Sequence, residues 1–217
     1  MSDPQLPPAY ILCGGRSERF GADKALVEIA GQPQLLRLTA ALMRAGHSIE
    51  YVADRADRYQ TLGIRCLVDT QPDSGPMGGL ATALAHRAAT IAGAAAAAAG
   101  AEASSTAGWL WLINCDQTQW QTSWSDELFT AMNCGVPATP ESPILARAYH
   151  DSSWQPLPAL YHCQLFGRVE QRLRTRQLSL NGLLGDLELA GQAVRVQREW
   201  SPRQWSFNTR GELADLL

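Results

Sequence analysis

The 217-residue sequence predicts a three-layer α/β fold with a mostly parallel sheet. Two observations carry the prediction. Short apolar runs alternate with stretches of helical periodicity through the first two thirds of the chain, and several of those runs stop at polar loop residues. Gly14-Gly15, Asp54, Asp69 and Asp116 each fall just past such a run. Ligands of open α/β sheets sit outside the carboxyl ends of the strands, near where strand order reverses. These positions are therefore expected to share one rim.

The elements follow in order. Residues 1–8, with Pro4, Pro7 and Pro8, read as a disordered leader, and 9–217 as a single domain. Ala9 to Cys13 is apolar throughout, as a central parallel strand covered on both faces should be. After the loop, Ala25 to Ile29 leads to a turn at Gly31-Gln-Pro33. Leu35, Leu36, Leu38, Leu42 and Ala45 recur at helical spacing, with Gly46 as a stop. Ile49 to Ala53 and Ile64 to Val68 are the next strands, and a helix is expected from about Leu80 to Ile91. The Ala-rich stretch 92–107 lacks periodicity and reads as a helix extension fraying into a mobile insertion.

Trp109 to Ile113 is the strongest strand signal, with Trp109 and Trp111 sharing one face toward a core. A helix near Asp126 to Met132 follows, then extended pieces around Val136, Ile144 to Ala146 and Leu157 to His162. Cys163 to Leu173 and Leu180 to Leu187 read as helices, the second capped by Ser179. Ala193 to Val196 and Trp205 to Phe207 are short strands, and a helix from Arg210 closes the chain.

Composition narrows the function. A net charge of −3 and a pI near 5.8 give no general attraction to nucleic acid or to an anionic membrane, so any cationic site is local. The five scattered cysteines contain no C-x-x-C and suggest neither a disulfide framework nor a zinc site. The first residues lack the basic and apolar regions of a secretory signal, which makes the cytoplasm the expected compartment.

The chemistry concentrates at residues 10–24. An apolar run ends in Gly14-Gly15, and Arg16, Arg19 and Lys24 follow. Glycines allow backbone amides to approach and face an anion, and the cations add charge. The loop contains no Gly-Lys-Ser/Thr and no G-x-G-x-x-G, so it is neither a Walker A loop nor a dinucleotide fingerprint. Read plainly, it is a strand-to-helix turn carrying surface charges. Its spacing says more. Leu12-Cys13-Gly14-Gly15-Arg16-Ser17-Glu18-Arg19-Phe20-Gly21-Ala22-Asp23-Lys24 resembles the L-x-G-G-x-S-x-R-x-G-x-D-K signature of the molybdenum cofactor guanylyltransferase family and its MobA-like nucleotidyltransferase relatives. Cys13 stands in place of the usual alanine, and Phe20 in place of a common methionine.

Further segments extend the resemblance. Asp69 to Gly79, containing Gly75-Pro76-Met77-Gly78, is similar to the family's D-x(n)-G-P-L-x-G loop. Exposed amides and close-approaching glycines at a helix start suit a base or ribose. Asp116 corresponds to the family's metal-binding aspartate, and a lone carboxylate can hold Mg²⁺ while phosphates and water fill the other positions. The proline that normally follows is missing, a change expected to loosen that loop. Asp54 replaces an asparagine, exchanging a donor-acceptor for an acceptor, with Arg55 adjacent to offset its charge. Phe207-Asn208-Thr209 resembles the start of the closing motif, in which Asn208 would serve as a second metal or substrate ligand or as a helix cap. Arg168, Arg172, Arg174 and Arg176 read as a solvated helix face, with a substrate phosphate as the sharper alternative.

The resemblance implies a Rossmann-like domain of the nucleotide-diphospho-sugar transferase type. It implies transfer of GMP from GTP to Mo-molybdopterin, forming the guanine dinucleotide cofactor and releasing pyrophosphate. Lys24, Arg19 and Asp116 would be catalytic, with Mg²⁺ on Asp116 and Asn208. Leu12, Cys13, Gly14, Gly15, Arg16, Lys24, Asp54, Asp69, Gly75, Pro76, Gly78 and Asp116 would bind the nucleotide. Partners would be GTP and molybdopterin, together with molybdoenzymes or other cofactor-biosynthesis proteins. Two alternatives stay open: a cytidylyltransferase or sugar- or alcohol-phosphate nucleotidyltransferase of the same superfamily, and a non-catalytic nucleotide-binding protein for cofactor delivery.

Overall fold

Alternation along the first strand builds two cores. In β1 (Ala9–Leu12), Tyr10 and Leu12 join one buried cluster, while Ala9 and Ile11 join another on the opposite face. The structure, a computed structural model, describes residues 6–14, 21–97, 106–130, 143–199, 206–207 and 210–215. The expected strand at Val136, residues 98–105 of the Ala-rich stretch and the leader residues 1–5 lie outside them.

Beyond β1, the strands are β2 (Glu28–Ile29), β3 (Gln32–Pro33), β4 (Ile49–Ala53), β5 (Leu67–Val68), β6 (Trp109–Asn114), β7 (Ala146–His150), β8 (Trp154–His162) and β9 (Ala193–Gln197). A seven-stranded sheet runs β5-β4-β1-β6-β8-β7-β9, with β2 and β3 forming a separate hairpin. β8 pairs antiparallel with both neighbours, and the other pairings in the large sheet are parallel. The sheet is mostly parallel, as the alternation predicts.

The helices are α1 (Gln34–Arg44), α2 (Pro76–Ala97), α3 (Ser123–Thr130), α4 (Phe166–Arg174), α5 (Leu180–Leu189) and α6 (Arg210–Asp215). Leu80 and Leu84 of α2, Val169 of α4 and Leu183, Leu184 and Leu187 of α5 cover one face of the sheet. Leu35, Leu38 and Leu42 of α1, with Trp124 and Leu128 of α3, cover the other. Trp109 and Trp111 are buried in this second layer, as their shared strand face requires. Trp124 joins them there, and Trp154 is buried on the opposite face.

Several boundaries differ from expectation. The strand expected at 64–68 is ordered only at Leu67–Val68, because the Cys66 and Ile64 amides bond to Ala56 and Tyr59 of the preceding loop instead of to β4. Ala25 to Ile29 is a 3-10 turn at Lys24–Leu26 followed by β2. α2 begins at Pro76, four residues earlier than expected, with proline in the first turn where its missing N–H costs nothing. α3 spans Ser123–Thr130 rather than starting at Asp126. The helix expected from Cys163 is a 3-10 turn leading into α4. Ser179 does cap α5, its hydroxyl accepting from Gly182 N at 3.1 Å. In place of a strand at 205–207, Ser206 makes an isolated bridge to Gln117, and Trp205 is outside the described residues.

Topology and register together make the rim. From β1 the chain moves outward to β4 and β5, then returns to place β6 on the other side of β1. Leu12 pairs with Val52 and with Asn114, so the loops after three adjacent strands start at one height. Among the described residues no helix is long and apolar enough to cross a membrane.

Candidate active site

The two sides of the rim use their polar groups differently. On the β1/β6 side, Lys24 Nζ donates to Asp116 Oδ2 at 2.9 Å across 92 residues of chain. Both side chains are nearly buried, 14% and 12% exposed. Burial raises the Asp116 pKa above the ordinary carboxylate range, and the Lys24 charge opposes that shift. The other carboxylate oxygen, Oδ1, is buried and has no hydrogen-bond partner among the described residues. An orphaned anionic oxygen at a strand end suits a hard cation, which oxygen ligands prefer. Among the described residues, no cluster of His, Cys, Asp and Glu would enclose a metal, so a cation here would draw its other ligands from outside that set.

Lys24 is the sole lysine in the chain; the other 17 of its 18 Lys and Arg residues are arginines. A compact ammonium on a flexible stem behaves unlike a planar guanidinium, so this one departure from arginine is a chemical choice. The composition carried that signal, and the motif reading passed over it.

The loop bearing Asp116 is held firmly despite its missing proline. The buried Gln34 amide nitrogen donates to the carbonyls of Cys115 and Gln117 at 3.4 and 2.5 Å, bracketing Asp116. Gln117 also bonds back to Asn114 and bridges Ser206. The expected loosening is thus corrected: Gln34 supplies the constraint. A polar residue inside the apolar stripe of α1 was its only sequence signal. The closing segment reaches the same place. Phe207 is fully buried, its ring centroid 5.9 Å from the Lys24 ammonium, and Glu212 raises the Asp116 pKa further.

On the β4/β5 side the polar groups bond to one another. Asp69 is buried and its Oδ1 accepts from Gln71 N at 2.8 Å; burial raises its pKa. It buttresses the turn instead of pointing a free carboxylate outward. A side chain on Gly78 would collide with the Gln71 carbonyl, and one on Gly79 would come within 2.6 Å of Leu12. The close approach expected for a ligand is made by the protein itself, and both glycines lie within the first turn of α2. Gly75 has φ +57°, which residues with a side chain resist and glycine tolerates. Gly14 differs: among the described residues a Cβ there would meet nothing closer than Ala53 Cα at 3.7 Å, so their packing does not demand glycine.

Asp54 is paired, but not with Arg55, which bonds to Asp57. Arg58 Nη1 donates to Asp54 Oδ1 at 2.7 Å, holding that carboxyl below its usual range. Arg58 also donates to Asp23 Oδ2 through Nε and Nη2, at 3.2 and 2.9 Å. Burial works against the Arg58 charge, and the two carboxylates outweigh it. The Tyr59 hydroxyl lies 2.9 Å from the Cys13 carbonyl and 3.0 Å from Asp23 Oδ2. Arg58 and Tyr59 were not legible as site residues in sequence.

Leu12, Cys13, Gly14, Lys24, Asp54, Asp69, Gly75, Pro76, Gly78 and Asp116 are thus all on or beside one rim. Cys13 is buried beneath it, its thiol pushed up by burial. Gly15, Arg16, Arg19 and Asn208 lie outside the described residues. Arg172 and Arg174 of the basic α4 face pair with Asp186 and Glu170.

Residues 9–188 match the family model described as MobA-like NTP transferase domain. The chain is 31% identical over 204 residues to the "Probable molybdenum cofactor guanylyltransferase" of Synechococcus elongatus, covering 92% of this chain and 91% of that protein. The like-named protein of Haloferax mediterranei is 29% identical over 71% of this chain and 64% of its own length. Among solved structures, molybdopterin-guanine dinucleotide biosynthesis protein A from Archaeoglobus fulgidus superposes with a TM-score of 0.66 at 16% identity, covering 96% of each chain. The 4-diphosphocytidyl-2C-methyl-D-erythritol synthase of Anaerococcus prevotii gives 0.65 at 11% identity over 99% of this chain and 95% of that one. At those identities the two structures share the fold. With its rim, its lysine-aspartate pair and a family match spanning most of its length, the chain belongs to the MobA-like NTP transferase family and is a nucleotidyltransferase.

Proposed function

We propose that the protein transfers GMP from GTP to the phosphate of Mo-molybdopterin, releasing pyrophosphate and forming the guanine dinucleotide cofactor. The observation that carries this reading is the Lys24–Asp116 pair, with one Asp116 oxygen buried and unbonded among the described residues. The names of the similar proteins from Synechococcus and Archaeoglobus support the substrate pair.

The chemistry is an in-line displacement. An acceptor phosphate oxygen bonds to the α-phosphorus, and the bond from that phosphorus to the α,β-bridging oxygen breaks, the electron pair leaving with pyrophosphate. Such a reaction asks the protein for position and charge, not for a covalent nucleophile. Lys24 offers its ammonium to the phosphates, where its low exposure keeps the charge weakly screened. Gly14, unconstrained by packing, leaves its backbone open to the nucleotide. Arg16 and Arg19 would add cationic charge, and Asn208 would offer a second oxygen ligand to the metal. Mg²⁺ held on Asp116 would neutralise phosphate charge and draw donor and acceptor together. The reaction takes place in the cytoplasm, where thiols such as Cys13 and Cys115 stay reduced.

A pyrophosphate-release assay across the four nucleoside triphosphates, with and without molybdopterin, tests the reading. Release with GTP only when acceptor is present, and its loss in EDTA, is the expected result. Preference for CTP moves the assignment to a cytidylyltransferase. Nucleotide binding with no release in any combination removes the catalytic reading.

A further inference from the structure

The Arg58 guanidinium joins two loops that chain order keeps apart. Two of its nitrogens reach the same oxygen of Asp23, 35 residues away, and a third reaches Asp54. Asp23 is thereby held on every side. Its Oδ1 accepts from Ala25 N at 3.1 Å, capping the 3-10 turn whose first residue is Lys24. The Tyr59 hydroxyl lies against both of its oxygens. The Arg58–Asp23 pair is 18% and 21% exposed, against 67% and 70% for the nearby Arg55–Asp57 pair, which marks the first as built and the second as ordinary surface.

We propose that Arg58 is a positioning residue: through Asp23 it fixes the turn that aims the Lys24 ammonium at the rim. The proposal rests on the nucleotidyl-transfer reading only for what Lys24 binds. A lysine side chain has four rotatable bonds, and ordering it during binding costs entropy that a fixed base reduces. Arg58 holds the base and Asp116 holds the tip. A planar guanidinium is suited to this because its fork reaches two carboxylates at fixed angles. Asp54 is the outer partner, 44% exposed, and keeps Arg58 from swinging away from the loop.

Two measurements on the full chain test the proposal. Lys24 bears the only ε-amine, so its acetylation by limiting acetic anhydride is read directly by peptide mass spectrometry. Arg58→Met should acetylate Lys24 about threefold faster or more, with unchanged far-UV circular dichroism, because the ammonium loses its fixed base. Asp23→Asn should behave alike. In calorimetry, Arg58→Met should bind inorganic pyrophosphate about tenfold more weakly while its affinity for GMP stays within about twofold, since only the phosphate side depends on Lys24. A wild-type acetylation rate in Arg58→Met overturns the proposal, and so do equal losses of pyrophosphate and GMP affinity. If Arg58→Met does not fold, Arg58→Gln is measured in its place. A wild-type protein that binds no pyrophosphate, with the acetylation contrast intact, rejects the nucleotidyl-transfer reading and leaves the positioning role supported.

Discussion

The β1/β6 side of the rim and the β4/β5 side carry similar residues and treat them in opposite ways. Among the described residues Asp116 keeps one buried oxygen unbonded, whereas Asp69 turns its carboxylate onto the amide of its own turn. Gly14 has space that packing does not use, whereas Gly78 is glycine because the Gln71 carbonyl occupies the place of a side chain. The lesson is one of hydrogen-bond accounting. Motif residues whose polar atoms are fully used by the protein shape the site, and those left partly unsatisfied are where a ligand's atoms belong.

The largest expected effect breaks the β1/β6 side. Lys24→Ala should lower pyrophosphate release by about a hundredfold or more, the scale seen when a charge-stabilising donor is removed. It should also lower stability by about 3–5 kcal/mol, because the buried Asp116 is left without its cation. Lys24→Met combined with Asp116→Asn sharpens the comparison. Thermal melts should recover most of the lost stability, while turnover and its metal dependence stay absent. Recovery of turnover in that double variant would place the chemistry elsewhere.

A substitution on the β4/β5 side should act through the fold. Gly78→Ala forces the Gln71 carbonyl aside and should cost about 1–3 kcal/mol, read as a lower Tm, with activity per folded molecule nearly retained. A turnover loss with an unchanged Tm would show that Gly78 meets the substrate after all.

Asp54→Asn should be the mildest. The carboxyl is half exposed, so its bond to Arg58 is screened and contributes about 0–1 kcal/mol. Its pKa is depressed by Arg58, so this contribution is complete above the unfolded value and fades as the pH falls through the lower folded one. Wild type and Asp54→Asn should therefore melt within a few degrees of each other at neutral pH and converge in acid.

What the sequence determined by itself is local. Apolarity in Ala9–Leu12 and Trp109–Ile113 made buried strands, the spacing of Leu35, Leu38 and Leu42 made one face of a helix, and Ser179 marked a helix start. Those signals depend on periodicity and on hydrogen bonds within a few residues, which any reader of the chain can count. The polar strand ends at Asp54, Asp69 and Asp116 fall, as expected, on the same side of the sheet as Gly14. Partner choice was decided only by the tertiary structure. Arg58 rather than Arg55 reached Asp54, and Gln34 rather than a proline braced the Asp116 loop. Lys24 found Asp116 from 92 residues away. Such pairings depend on which loops the sheet order β4-β1-β6 brings to the same height, and nothing local in the sequence encodes that distance.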